Sequence, residues 1–359
     1  MEFGLSTATA LPPVTVQPGR DAFSYVLRTC ETARESGFDG IGIGQRYIGG
    51  DTHQYLQPLV MAAYIFARFP GMYVSTNVYL LPYGNPVRTA EEVATLDLMA
   101  PGRFLFGVGQ GYRKDEGAVF QVAGAERARR MVEAISAMKA LWQPGPRSFA
   151  GEFWEFEDVN LSAKPVRPAG PPLLLGADTA KTIAQVISRG GDFWYSSPRH
   201  SRDFLRQAVP VWRHALEEAG RPFPGLALGR NICVAENRKA ARALAAEPFG
   251  DYMRKQSAWG QPGERYDIDP DEMLGERVIL GSPEEAAEQI LALHEEFGIG
   301  YLNLRVYAAG MDQERALDMV RQVGVEVLPI IRTETGCRSM FARWAEQSDD
   351  SEKGGIQRA

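Results

Sequence analysis

The chain has 359 residues, 45% of them hydrophobic and 23% charged, with a formal net charge of −6. This is globular composition with ample apolar mass for a large core, and its mild acidity speaks against a nucleic-acid or anionic-membrane partner. No stretch approaches the ~18 consecutive apolar residues of a membrane helix, and Cys30, Cys233 and Cys337 are too few and too scattered for a disulfide framework or a zinc site.

In chain order, Phe3–Ser6 reads as a short strand. The segment around it, MEFGLSTATALPP, lacks the basic region of an export signal, so a cytoplasmic location is expected. Ala22–Ser36 has helical periodicity and stops at Gly37. Asp39–Gly44 is strand-like, Pro58–Phe69 helical, Met72–Leu81 rich in β-formers, and Thr89–Met99 helical up to the stop at Pro101-Gly102. Arg103–Val108 is a strand and Ala128–Trp142 a helix. Three further strands follow at Pro172–Gly176, Asp192–Ser196 and Leu226–Ala235, the first two trailed by helices at Thr179–Ser188 and Arg202–Ala219. Lys239 opens another helix. Pro283–Phe297 is helical, Tyr301–Val306 is the last strand, and Gln313–Val327 the last helix.

Eight strands alternating with helices predict parallel βα units closing into a (β/α)8 TIM barrel over residues 1–335, with an open doubly wound sheet as the rival. Two insertions stand out. Arg147–Pro165 alternates aromatic and polar residues around Gly151 and reads as a hairpin before the fifth strand. Phe249–Leu280, rich in Gly, Pro and charge, reads as a long loop or lid after the seventh. Residues 336–359 form a C-terminal extension, of which Gln347–Ala359 is expected to be disordered.

In RFLFGVGQGY (Arg103–Tyr112) glycine recurs at 107, 109 and 111, on one face of the fourth strand or at its mouth. Glycine in a strand loses packing and backbone entropy, so something must approach there too closely for a side chain: a neighbouring element or a ligand. In a barrel of this type the strand exits form the active face.

The run NPVRTAEEVATLDLMAPGRFLFGVGQGYRKDEGAVF (Asn85–Phe120) closely resembles the bacterial luciferase-like monooxygenase family. So do YLQPL (Tyr55–Leu59), the Trp142 region with GEFWEFEDVNLSAKP, and PPLLLGAD before a helix. The resemblance spans roughly residues 1–330. It implies a barrel carrying reduced FMN, or in a sister branch the deazaflavin coenzyme F-420 (F420), at the carboxyl ends of the strands. It also implies a small organic substrate, O2, a separate flavin reductase and a homodimer.

Carried onto this sequence, the resemblance places a non-prolyl cis peptide at Asn77–Val78, beside the flavin ring. Gly107, Gly109, Gln110 and Gly111 would lie against the flavin or its ribityl chain. Gln110 stands where luciferase has a phosphate-binding arginine, and Arg113 is a substitute. The phosphate falls to Gly176-Ala177-Asp178-Thr179, whose helix opening favours an anion, although Asp178 or Thr179 could equally be an N-cap. Ser196 and Ser197 are supplementary candidates.

The luciferase Glu-His-His run is replaced here by Gln45-Arg46-Tyr47. Arg46 stays protonated, so it can bind an anion or stabilise negative charge but cannot act as a base. His53 is the nearest imidazole for proton transfer, and His200 a further one on the active face, whereas His214 and His294 read as structural. On the last strand Asn303 and Arg305 share a face; pointing into the barrel mouth, Arg305 is a second cation for substrate or cofactor, and pointing to the helices it is a member of a buried ion pair. Tyr79, Tyr83 and Trp194 are candidate pocket walls. The expected activity is oxygenation of a small organic substrate by reduced FMN and O2, with F-420-dependent hydride transfer and non-catalytic flavin binding as alternatives. No metal site is expected.

Overall fold

The computed structural model describes residues 1–7, 18–48, 55–258, 269–306, 313–336 and 339–342. Its strands are β1 (Glu2–Ser6), β2 (Gly40–Ile43), β3 (Tyr73–Thr76), β4 (Tyr79–Leu80), β5 (Phe104–Gly109), β6 (Arg147–Ala150), β7 (Glu155–Val159), β8 (Leu173–Gly176), β9 (Phe193–Ser196), β10 (Leu226–Val234), β11 (Val278–Gly281) and β12 (Ile299–Val306). Eight of them, β1, β2, β3, β5, β8, β9, β10 and β12, pair in parallel in that order, and β12 returns to β1 through Glu2↔Tyr301. This is a closed (β/α)8 barrel. A ring of parallel strands needs helical crossovers, and the helices pack outside it.

Alternation decides what each strand buries. On β5, Phe104, Phe106 and Val108 join the large core between ring and helices, while Leu105 points to the barrel interior with Phe193 and Tyr301. The amino-terminal mouth is closed by Met340 and Phe341, 1% and 2% exposed. Phe341 meets the rings of Tyr73, Phe193 and Tyr301 at 5.3–6.3 Å. Glu2 accepts from the Ser339 hydroxyl at 2.5 Å and from the Met340 N–H at 3.0 Å. The extension expected to start at 336 therefore supplies a plug to the barrel before it leaves the described residues; Gln347–Ala359 lies outside them.

The 147–165 segment forms the antiparallel pair β6–β7. The Glu133 carboxylate fastens it by accepting from the N–H groups of Glu152, Phe153 and Trp154 at 2.8–2.9 Å. Phe249–Leu280, expected as a loop or lid, is mostly regular where described. It continues the helix Arg238–Ala258, forms the helix Pro270–Arg277 and ends in β11 beside the outer half of β10. Phe249, Met253, Met273 and Leu274 are buried, so an apolar pattern was present beneath the Gly- and Pro-rich composition. The stretch expected as one strand, Met72–Leu81, is interrupted after Thr76 by a cis Asn77–Val78 peptide before β4 resumes pairing with β5.

Candidate active site

The carboxyl ends of the ring strands open into a cavity of about 320 Å³, to which every ring strand except β10 contributes directly or through its exit loop. Its position follows from the fold, since in a (β/α)8 barrel the site is built from the loops at the carboxyl ends of the strands.

One wall is the exit of β5. The atoms that crowd its glycines belong to the protein. A Cβ on Gly107 would overlap the Thr76 carbonyl oxygen, and one on Gly109 would come to 2.5 Å from Val78 Cγ2. Gly111 has φ +69°, a conformation costly for other residues. Gly107 and Gly109 thus admit the bulge of β3 against β5, and the bulge in turn presents Asn77 and Val78 to the cavity. Gly107 lies behind that wall and does not line it. Gln45 secures the same region, accepting from the Leu80 N–H at 2.6 Å and donating to Gln57 at 2.8 Å and the Tyr47 hydroxyl at 2.9 Å.

Beneath the cavity runs a polar layer. Ser75 and Tyr301 share a hydrogen bond of 2.9 Å, the Asn77 amide donates to Ser75 at 3.0 Å, and the Asn303 amide donates to Tyr195 at 3.3 Å. The side-chain oxygens of Asn77 and Asn303 are buried with no hydrogen-bond partner, although both residues border the cavity.

The charge on the wall is lopsided. Among the described residues five arginines, Arg46, Arg113, Arg189, Arg199 and Arg305, face two carboxylates, Asp178 and Glu116. Arg46 lies 5.2 Å from the centre of the Tyr55 ring. Arg113 pairs with Asp115, sits 3.9 Å from Glu116, and donates to the Tyr47 and Ile48 carbonyls at 3.5 and 3.4 Å, bracing the β5 exit against the β2 exit. Burial pushes the Glu116 carboxyl above its ordinary range, partly offset by the Tyr47 N–H and by Arg113. Asp178 is the opposite case. Burial would raise it, but Arg199 at 2.5 Å and His200 Nε2 at 3.2 Å bring it well below the usual carboxylate range.

Of the residues singled out from the sequence, Arg46, Asn77, Val78, Gly109, Gln110, Gly111, Gly176, Ala177, Asp178, Thr179 and Arg305 meet at this cavity. His53 lies outside the described residues. Tyr79 is corrected from a pocket-wall candidate to a core residue: it is 8% exposed, packs on Phe106 at 5.7 Å and belongs to the core between ring and helices. Ser196 is also displaced. It is fully buried and its hydroxyl is 2.9 Å from His200 Nδ1, so it supports the wall and does not touch the cavity. Trp194 is buried, donating to the Ala177 carbonyl. Thr179 is the N-cap of the helix Ala180–Ala184, its hydroxyl accepting from the Thr182 N–H, while Asp178 turns to Arg199 and His200. Sequence reasoning passed over Glu116, Arg189 and Arg199. The available signal for Arg199 was its place beside His200 at the exit of the sixth ring strand.

Comparison with known proteins fits this construction. Residues 1–299 match the family described as luciferase-like monooxygenase. An F420-dependent glucose-6-phosphate dehydrogenase of Kineococcus radiotolerans is 26% identical over 317 residues, covering 84% of this chain and 90% of that protein. Among solved structures, the monooxygenase RslO1 from Streptomyces bottropensis superposes with a TM-score of 0.80 at 23% identity, covering 92% of this chain and 99% of that one. The oxygenating constituent of 3,6-diketocamphane monooxygenase from Pseudomonas putida, in complex with FMN, gives 0.77 at 20% identity over 92% and 98%. With the barrel, the cis bulge and a family match over most of its length, this chain belongs to the luciferase-like monooxygenases.

Proposed function

We propose that the chain is an oxidoreductase that binds reduced FMN in this cavity and uses it with O2 to oxygenate a small organic substrate. A separate reductase would deliver the flavin. The observation that carries the reading is the join of two surfaces in one cavity: the β5 exit with its cis bulge, and an arginine-rich rim. A planar ring with an anionic tail matches both. The arginines of the rim fit the phosphate. When bound, the reduced flavin supplies the electrons that activate dioxygen. The chain's own work is to orient ring and substrate against the Asn77–Val78 bulge, exclude water, and stabilise developing negative charge with Arg46 and Arg305.

A second reading, hydride transfer through coenzyme F-420, is favoured by the F420-dependent relatives. It needs an acceptor for the substrate's proton, and Glu116, with its raised carboxyl at the cavity wall, suits that role. Titrating the protein with reduced FMN and reduced F-420 under anaerobic conditions, followed by intrinsic fluorescence, separates the two. Tighter FMN binding, with product-coupled oxygen uptake when air is admitted, supports the first reading. F-420 binding without oxygen uptake overturns it. A homodimer is part of either reading and is tested by light scattering.

A further inference from the structure

The loop leaving β9 is held in an unusual way. Its three successive carbonyls each accept from a buried side chain of another element. Pro198 takes the Asn231 amide at 3.5 Å, Arg199 takes Arg277 Nε at 2.7 Å, and His200 takes the Arg230 guanidinium. Asn231, Arg230 and Arg277 are each 2% exposed. Placing two guanidinium groups so deep is expensive, and a loop that needed only to connect β9 to its helix would not require it. The residue the loop presents is Arg199. Arg199 borders the cavity, its guanidinium pinned to Asp178, which is held in turn by His200. Arg305 stands on the neighbouring rim, beyond β10, whose Asn231 it faces in register.

We propose that Asn231, Arg230 and Arg277 are positioning residues that lock the Pro198–His200 loop so that Arg199, with Arg305, forms a preset receptor for a ligand oxyanion of the phosphate class. This rests on the reading of the cavity as the ligand site. A rigid guanidinium loses little entropy on binding an oxyanion, whereas one on a loose loop must be ordered first. The oxyanion can come from the cofactor's tail or from an anionic substrate.

The test uses the full chain without added cofactor and inorganic phosphate as probe, by calorimetry. Arg199→Gln is expected to weaken phosphate binding at least tenfold, and Arg277→Met three- to tenfold. Arg277→Lys, which keeps a donor for the carbonyl, restores most of the affinity. The double variant Arg199→Gln/Arg277→Met should bind no worse than Arg199→Gln alone, because the clamp acts through Arg199. Additive losses would overturn the proposal. So would unchanged phosphate affinity in an Arg277→Met protein that is folded by circular dichroism. If Arg277→Met does not fold, Asn231→Ala, expected to weaken binding about threefold, replaces it under the same criteria. Repeating the titration at saturating reduced FMN identifies the source: lost phosphate binding assigns the oxyanion to the cofactor's tail, and retained binding assigns it to the substrate. Since the first titrations need neither flavin nor turnover, their failure is distinct from failure of the oxygenase reading.

Discussion

At the scale of single residues, the glycines of β5 separate two demands that look alike in sequence. Gly107 is dictated by the Thr76 carbonyl, a backbone atom that cannot swing away. Gly107→Ala should therefore cost stability by roughly 1–3 kcal/mol through overpacking, read by urea denaturation. Gly109 meets only Val78, a cavity residue. Gly109→Ala should displace Val78 and weaken reduced-FMN binding more than it weakens folding; equal losses would make it a packing glycine like Gly107. Asp178 offers a pH test. Its folded carboxyl titrates below the ordinary 3.8, so its contribution is present above that pH and lost as pH falls through the folded value. Asp178→Asn should be less stable than the parent by roughly 1–3 kcal/mol at neutral pH. Urea unfolding across pH should show the gap narrowing only below pH 3.8; a gap that closes between pH 5 and 7 would implicate another group.

Among the elements, the β6–β7 hairpin is the most separable. Its strands are largely exposed, and Glu133 alone receives three of its N–H groups. Hydrogen bonds to a carboxylate are each worth about 1.5–3 kcal/mol in favourable settings and less when partly solvated. Glu133→Ala should raise proteolytic cleavage near Gly151–Phe153 severalfold while leaving reduced-FMN affinity unchanged, since no hairpin residue lines the cavity. A matching fall in affinity would mean the hairpin supports the site. This hairpin was readable from aromatic–polar alternation around a glycine. β11 was not, because a four-residue apolar strand carries too little periodicity to stand out after a charged, Pro-containing stretch.

For the molecule as a whole, ring closure joins β12 to β1, and the plug of Met340 and Phe341 seals the mouth opposite the cavity. Burying these two side chains is worth roughly 3–6 kcal/mol. Ending the chain after Gly336 should lower stability by about that amount, measured by denaturant titration, and a loss under about 1 kcal/mol would show that the barrel closes without the plug. At the other end, a cofactor at 100 times its Kd should add about 2.7 kcal/mol, so the thermal shift with reduced FMN or F-420 gives a second measure of cofactor preference.

The barrel was legible from residue order alone, because alternating strand and helix periods leave few topologies and each period is written in neighbouring side chains. The cavity's strand-exit residues followed from that, and with the family resemblance so did the cis bulge at Asn77–Val78. What only the tertiary structure decided depends on atoms distant in sequence: that Thr76 and not a ligand requires Gly107, that Ser196 and Tyr79 turn away from the cavity, and that Asp178 answers Arg199 and His200. The direction of a side chain at a strand exit is set by the element packed against it, and those contacts exist only once the ring has closed.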